Sequence, residues 1–239
     1  MQKILSAEQV EAFYHDEFVD DQVRHFVAMF GAEAAHKNVV DMGGGCGFFA
    51  RQLASQTDCQ VKVIDMDPAS VNACHAAGID AVQGDAIHPT MSGKEDIVCF
   101  NLILHHLIGN SDADTLALQT RALAAWTPHV RSVFVNEYIY ESYWGNFSGW
   151  LIFSITKSAV LSWIGKMVAV VVPSLKANTF GVGVRFRAHE EWRGVFEAAG
   201  YSVKSVILGK DEPISLPRRL LLIKHIRRDS FVLEPKTSH

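Results

Sequence analysis

Three aspartates, a histidine pair and a glutamate stand where chemistry could use them: Asp41, Asp65, Asp85, His105, His106 and Glu137. Asp41 opens a D-x-G-x-G-x-G pattern in "VVDMGGGCGFFA", with Gly43, Gly45 and Gly47 on alternate positions. Glycines spaced in this way form a turn that a ligand can approach closely, because no Cβ intervenes. An acid at the head of the turn is unhelpful to a phosphate but well suited to a cation. A looser pattern competes with this one. Gly45, Gly47 and Ala50 also fit G-x-G-x-x-A, and Asp65 lies twenty residues beyond Gly45, as in a dinucleotide-binding turn with an acid on a ribose. His105 and His106 titrate near neutrality in their ordinary state and suit a general base. Glu137 suits a base or a substrate-orienting acid. Cys46, Cys59, Cys74 and Cys99 form no CxxC pair and no ligand-spaced set with histidine, so neither a metal site nor a disulfide framework is expected.

Such residues need strands to end on and helices to start from. Val19, Val23, Phe26, Val27 and Phe30 recur at helical spacing, as do Val10, Phe13, Tyr14 and Phe18, so one or two amphipathic helices precede Gly31. From Asn38 onward strands alternate with helices. Strands are expected at Val39 to Asp41, Val61 to Asp65, Ala81 to Gln83, Ile97 to Phe100 and Ser132 to Asn136. Helices are expected over Phe48 to Ser55, Ser70 to Ala77, Asp112 to Ala125 and His189 to Ala199, with "YSVKSVIL" and "RRLLLIKHI" as a closing strand pair. The alternation predicts an α/β, doubly wound, Rossmann-like and mostly parallel seven-stranded sheet, with N-terminal helices and a helical insertion after strand five. Asp67 precedes Pro68 and reads as the start of a helix.

In this order the segments resemble the class I S-adenosylmethionine-dependent methyltransferases that act on small molecules, over about residues 10–226. "VVDMGGGCGFFA" is similar to the family's first motif, which implies Gly43, Gly45 and Gly47 against the methionine part of the cofactor and Asp41 near its amino group. "VKVIDMDP" resembles the second, implying that Asp65 takes both ribose hydroxyls and that Met66 packs on the adenine. "VQGDAI" resembles the third, with Asp85 accepting from the adenine amino group while Ala86 and Ile87 border the ring. "CFNLILHHL" is similar to the strand-four motif, placing Asn101 and Leu102 at the methionine end. "RFRAHEEWRGVFEAAGYSV" resembles the helix and strand that close small-molecule members. Tyr14 is implied to close over the cofactor carboxylate, with core packing an equal alternative. The implied cofactor is S-adenosylmethionine, a sulfonium and ammonium cation without phosphate, and its product is S-adenosylhomocysteine.

The acceptor is expected where strands four and five end. Either of His105 and His106, or Glu137, is the candidate catalytic group. Tyr138, Tyr140, Tyr143 and Trp144 read as pocket wall, and Arg185, Arg187 and His189 could meet an acidic group on a substrate. Strand four ends in "NLIL" and not in D/N-P-P-Y/F, and 22 basic against 26 acidic residues leave a formal charge of −4 without a basic stripe. Both facts argue against a nucleic-acid substrate. Residues 142–175 are aromatic, aliphatic and poor in charge. Three roles fit this insertion, in decreasing order of preference: core-packing helices, a lid over an apolar substrate, and an interfacial membrane contact, so membrane contact is not expected. The longest uncharged run there, Ser142 to Thr156, is short for a span of roughly 20 residues.

The expected layout is an N-terminal helical cap over residues 1–36, a cofactor-binding core over 37–141 and 180–228, an apolar insertion over 142–179 and a polar tail over 229–239. The expected activity is methyl transfer to an O or N atom of a small, partly apolar metabolite, in a cytoplasmic protein without a secretory signal. A homodimer stays open. The alternatives are a noncatalytic S-adenosylmethionine-binding sensor or partner subunit and, behind it, a nicotinamide-dependent oxidoreductase.

Overall fold

The computed structural model describes residues 18–163, 167 and 183–236. Val10, Phe13 and Tyr14 lie outside the described residues, so the cap they were expected to form is not considered further. Seven strands form one sheet: β1 Asn38–Met42, β2 Gln60–Asp65, β3 Asp80–Gln83, β4 Ile97–Asn101, β5 Ser132–Ser142, β6 Tyr201–Ile207 and β7 Ile223–Pro235. Their spatial order is β3-β2-β1-β4-β5-β7-β6, and among the described strands only β7 runs against the rest. Strand order reverses between β1 and β4, the place where doubly wound sheets open a crevice at the carboxyl ends of their strands.

Side chains alternate across each strand, which divides the core between two faces. On one face Val39, Ile97, Cys99, Phe134 and Val232 meet α1 (Val19–Phe30) and α2 (Phe48–Gln56) through Val23, Phe26, Phe30, Phe49 and Leu53. On the other, Val40, Met42, Val98, Phe100, Val135 and Leu233 meet α4 (Asp112–Ala124) and α6 (His189–Ala198). Between them in the chain come α3 (Pro68–Ala76), packed beside β2 and β3, and α5 (Phe147–Lys157), which follows β5. A short α7 (Leu216–Arg219) precedes β7.

The chain end departs from expectation. Residues 218–222 of "RRLLLIKHI" are not strand, since β7 starts at Ile223, and the polar tail expected after Asp229 is instead β7 as far as Pro235. The polar pair Asp229-Ser230 concealed the strand in the sequence, yet both are fully buried and satisfied. Asp229 takes His189 Nδ1 at 2.7 Å, Gly209 N at 2.9 Å and Arg227 Nε at 3.0 Å, and Ser230 lies 2.8 Å from Asn136 Nδ2. Phe231, Val232 and Leu233 then insert between β5 and β6.

Phe134 is the hub of the first face, with ring centroids 5.5 Å from Phe26 and 6.5 Å from each of Phe30 and Phe49. Phe134→Ala is expected to lower unfolding stability by about 3–5 kcal/mol, measured by denaturant titration. A loss under about 1 kcal/mol would show that the cluster refills the space.

Candidate active site

β1 and β4 lie side by side in parallel register, so their carboxyl ends bring Asp41 and Asn101 together. Asn101 Nδ2 donates to Asp41 Oδ1 at 3.1 Å. Asp41 is fully buried, and its Oδ2 has no partner; Asn101 Oδ1, also buried, has none either. Two buried acceptors without donors, pointing from neighbouring strand ends, are expensive unless a donor arrives. Burial, with the nearby charge of Asp65 adding to it, pushes the Asp41 carboxyl up from 3.8 to about 7, although the Asn101 hydrogen bond pulls the other way. A cation bearing N–H groups would satisfy both oxygens and restore the charge.

Next to this pair the glycine loop divides its labour. Gly43, Gly45 and Gly47 all have positive φ, at 68°, 54° and 76°. A Cβ on Gly43 would strike Ile103, and one on Gly47 would strike Ile79 and Cys74, so these two also serve packing. A Cβ on Gly45 would meet nothing within 4 Å, which leaves its backbone open to a ligand. The loop is held from below by Asp65 at the end of β2, whose Oδ2 accepts from Gly45 N at 2.9 Å and whose Oδ1 accepts from Asp67 N at 2.9 Å. Asp67 itself caps α3, accepting from Ala69 N and Ser70 N, as its place before Pro68 predicts. Met66 is partly exposed beside it, and its carbonyl accepts from Gln83 Nε2.

Asp85 follows β3, turns the chain by accepting from Ile87 N at 2.9 Å, and keeps a side chain 43% exposed; Ala86 beneath it is buried. Leu102, after β4, adopts φ 55°, a left-handed conformation rare for leucine, and donates its N–H to Asn136 O. Asp41, Gly43, Gly45, Gly47, Asp65 and Asn101 thus gather at the carboxyl ends of β1, β2 and β4, and Asp85, Ala86 and Leu102 follow β3 and β4. Tyr14 lies outside the described residues.

Beyond Leu102 a 3-10 turn over Leu104–His106 is tied to β5 by Glu137. This carboxylate is fully buried: Oε1 accepts from Leu104 N at 2.6 Å, and Oε2 lies 2.7 Å from His105 Nδ1 and accepts from Tyr138 N at 3.2 Å. With its oxygens so occupied, Glu137 is an orienting group, and His105 keeps Nε2 for other work. The His106 ring lies tilted against that of His105, with centroids 4.1 Å apart; burial and the His105 charge hold its pKa well below the usual histidine value.

The wall around these rings is partly as expected. Tyr138 meets His105 edge-on at 5.9 Å, and Tyr140 stacks on Phe186 at 4.2 Å. Tyr143 and Trp144, expected in the wall, are instead 62% and 74% exposed. Phe186 escaped sequence reasoning, though it also contacts the His105 ring at 4.9 Å. Its signal was the alternation in "RFR". Arg185 and Arg187 turn to the opposite side, where Arg185 pairs with Asp112 at 2.8 Å and Glu191 at 3.1 Å, and Arg187 donates to Gln119 Oε1 at 2.7 Å. His189 is engaged by Asp229. These three fasten the return segment, and Arg187 Nη2 is buried without a hydrogen-bond partner.

Residues 40–125 match a family described as a methyltransferase domain. No curated relative matches the chain in sequence. Solved structures do match its fold. The MccD protein shares 10% identity over 91% of this chain and 97% of its own, with a TM-score of 0.63. The magnesium protoporphyrin IX methyltransferase ChlM from Synechocystis PCC 6803 with bound SAH shares 12% over 99% and 90%, with a TM-score of 0.56. The mitomycin 7-O-methyltransferase MmcR shares 13% over 92% of this chain but only 54% of its own, again with a TM-score of 0.56. The matched segment runs from β1 to the end of α4, and the seven-stranded sheet that contains it has the fold of these solved structures.

Asp41 supplies a pH test. An acid whose folded pKa is raised binds its proton more tightly when folded, so stability is lost as pH climbs from about 4 to about 7. The difference from 3.8 to about 7 corresponds to a penalty on the order of 4 kcal/mol above pH 7. Ligand-free Asp41→Asn should therefore gain stability over the parent as pH rises from 4 to 8, by a few kcal/mol at most. Paired denaturant curves at pH 4 and pH 8 check this; a pH-independent difference would contradict the raised pKa.

Proposed function

We propose that this enzyme transfers the methyl group of S-adenosylmethionine to an O or N atom of a small, partly apolar metabolite. The observation that carries the acceptor reading is the buried His105–Glu137 pair, set 2.7 Å apart at the ends of β4 and β5 and walled by aromatic rings. The pair of orphaned oxygens on Asp41 and Asn101 supports the placing of the cofactor's amino group.

In this reading Gly43, Gly45 and Gly47 let the methionine portion approach the backbone, and Asp41 takes the ammonium. Asp65 has lone pairs left for the ribose hydroxyls after bracing Gly45 and Asp67. Met66, Asp85 and Ala86 border the adenine, and Asn101 and Leu102 close the methionine end. Bound S-adenosylmethionine supplies an electrophilic methyl on a cationic sulfur. The chain's task is to hold the acceptor in line with that methyl and to take up its proton. Glu137 accepts the His105 Nδ1 proton and so fixes the tautomer with Nε2 as acceptor. His105 Nε2 would take up the acceptor's proton. His106, tilted against His105 and disfavouring a second positive charge, is the alternative base. Tyr138, Tyr140 and Phe186 supply an apolar wall. Two of the structural neighbours are methyltransferases of small molecules, mitomycin and magnesium protoporphyrin IX, which agrees with an acceptor of this class.

Two measurements test the reading. In calorimetric titration S-adenosylhomocysteine should bind while NAD does not, and Asp65→Ala should weaken that binding at least about tenfold, the scale of a charge-assisted hydrogen bond. Unchanged affinity would remove Asp65 from the cofactor site. In a methyl-transfer screen of small phenols, amines and acids, His105→Ala should lower kcat by about 10²–10⁴ with S-adenosylhomocysteine binding intact. Glu137→Gln should shift the pH profile of kcat. Binding of the cofactor without turnover of any acceptor would favour the sensor alternative.

A further inference from the structure

We propose that the face formed by α5, the helical residues 159–163 and α7 docks on an anionic lipid surface. The inference does not depend on which acceptor is methylated. Its first support is exposure of the wrong kind of side chain for water. Trp144, Trp150 and Trp163 are 74%, 46% and 65% exposed, and Leu216 and Leu220 are 75% and 80% exposed. A helix that faces water carries a polar stripe, but α5 (FSGWLIFSITK) has a single charge, Lys157 at its last position. Tryptophan, with an apolar body and one N–H, is suited to the boundary between headgroups and acyl chains.

The second support is continuity. Tyr143 N donates to Leu222 O at 3.0 Å, and Ser148 Oγ donates to Leu221 O at 2.8 Å. The start of α5 and the turn that follows α7 are therefore in direct contact. Helix α5 follows the end of β5, the strand that carries Glu137.

The third is charge, and it selects the partner. No Asp or Glu occurs in residues 142–189, nor in residues 213–228, although the chain holds 26 acids. Arg185 and Arg187 in the first stretch are buried in ion pairs, but Arg219 and Lys224 in the second are exposed. A second copy of the chain would set this acid-free face against itself across a two-fold axis, so like charges would meet. An anionic bilayer offers apolar depth and opposite charge together. No described helix is long and apolar enough to cross a membrane, which makes the contact interfacial. The exposure of the tryptophans thus favours the role that sequence alone ranked last.

The test is co-sedimentation of the full chain with vesicles of phosphatidylcholine, and of phosphatidylcholine with roughly one-third phosphatidylglycerol. The chain should partition to the anionic vesicles and leave them as salt is raised. Trp144→Ser with Leu220→Ser should weaken partitioning at least about tenfold. Arg219→Glu with Lys224→Glu should abolish the preference for phosphatidylglycerol. All four positions are exposed, and circular dichroism with S-adenosylhomocysteine titration verifies that each variant is folded. Failure of the parent chain to sediment with either vesicle would overturn the proposal. So would a lipid-free dimer that the Trp144→Ser, Leu220→Ser variant dissociates, because the face would then belong to a second copy.

Discussion

A carboxylate buried without a full set of donors is the constraint around which this molecule is arranged. Asp41 ends β1 at the point where the strand order reverses, and the parallel pairing of β1 with β4 leaves it one partner, Asn101, where two oxygens need satisfaction. Such a group raises the free energy of the empty protein and lowers it again when a donor-bearing cation arrives. The rest of the crevice follows from that. Gly44 passes so close that a Cβ would lie 2.3 Å from Asp41 Oδ2, and the neighbouring loop needs three left-handed glycines to turn above the carboxylate. Asp65 then stabilises the turn by accepting from Gly45, so two acids brace one loop.

A second buried carboxylate solves the opposite problem. Glu137 receives the N–H of Leu104, the N–H of Tyr138 and the ring of His105, and it needs no ligand to be satisfied. Its work is to pin the turn after β4 to β5, which fixes one histidine nitrogen and leaves the other. The same turn is held from outside as well. Gln119 donates to Leu104 O at 3.0 Å and accepts from Arg187, while Arg185 N donates to His105 O. The arginines next to the insertion therefore fasten the histidines in place. Arg185 pairs with Asp112 and Glu191, and Arg187 lies 3.5 Å from Glu191.

How much of this could be read in the sequence depended on range. The alternation of strands and helices, the glycine loop, Asp65 at a strand end and Asp67 as a helix cap are local patterns, and each was legible. The Asp41–Asn101 and His105–Glu137 pairs join residues from different strands, so sequence could nominate the members but not their geometry. The misreadings share one cause. Asp229 and Ser230 look like the start of a solvated tail, yet His189, Gly209, Arg227 and Asn136 reach them from elsewhere in the chain and make burial affordable. Tyr143 and Trp144 look like pocket wall by proximity to β5, but the strand has passed the crevice by the time it reaches them.

The division of labour has a consequence for α5. The two sheet faces are filled by α1, α2, α4 and α6, and none of the three buried apolar clusters among the described residues draws a side chain from α5. It is held by polar ties, Ser148 to Leu221, Val184 N to Thr156 and Lys157 to Asn110, and by the buried Phe153 and Gly149, the latter against the Phe186 backbone. Its exposed side can change without disturbing the strand ends, since the residues that hold it, Ser148, Gly149, Phe153 and Thr156, lie on its buried side. Residues on that outer surface can then vary while the ends of β1, β2 and β4 stay fixed, which is how one sheet can carry different functions.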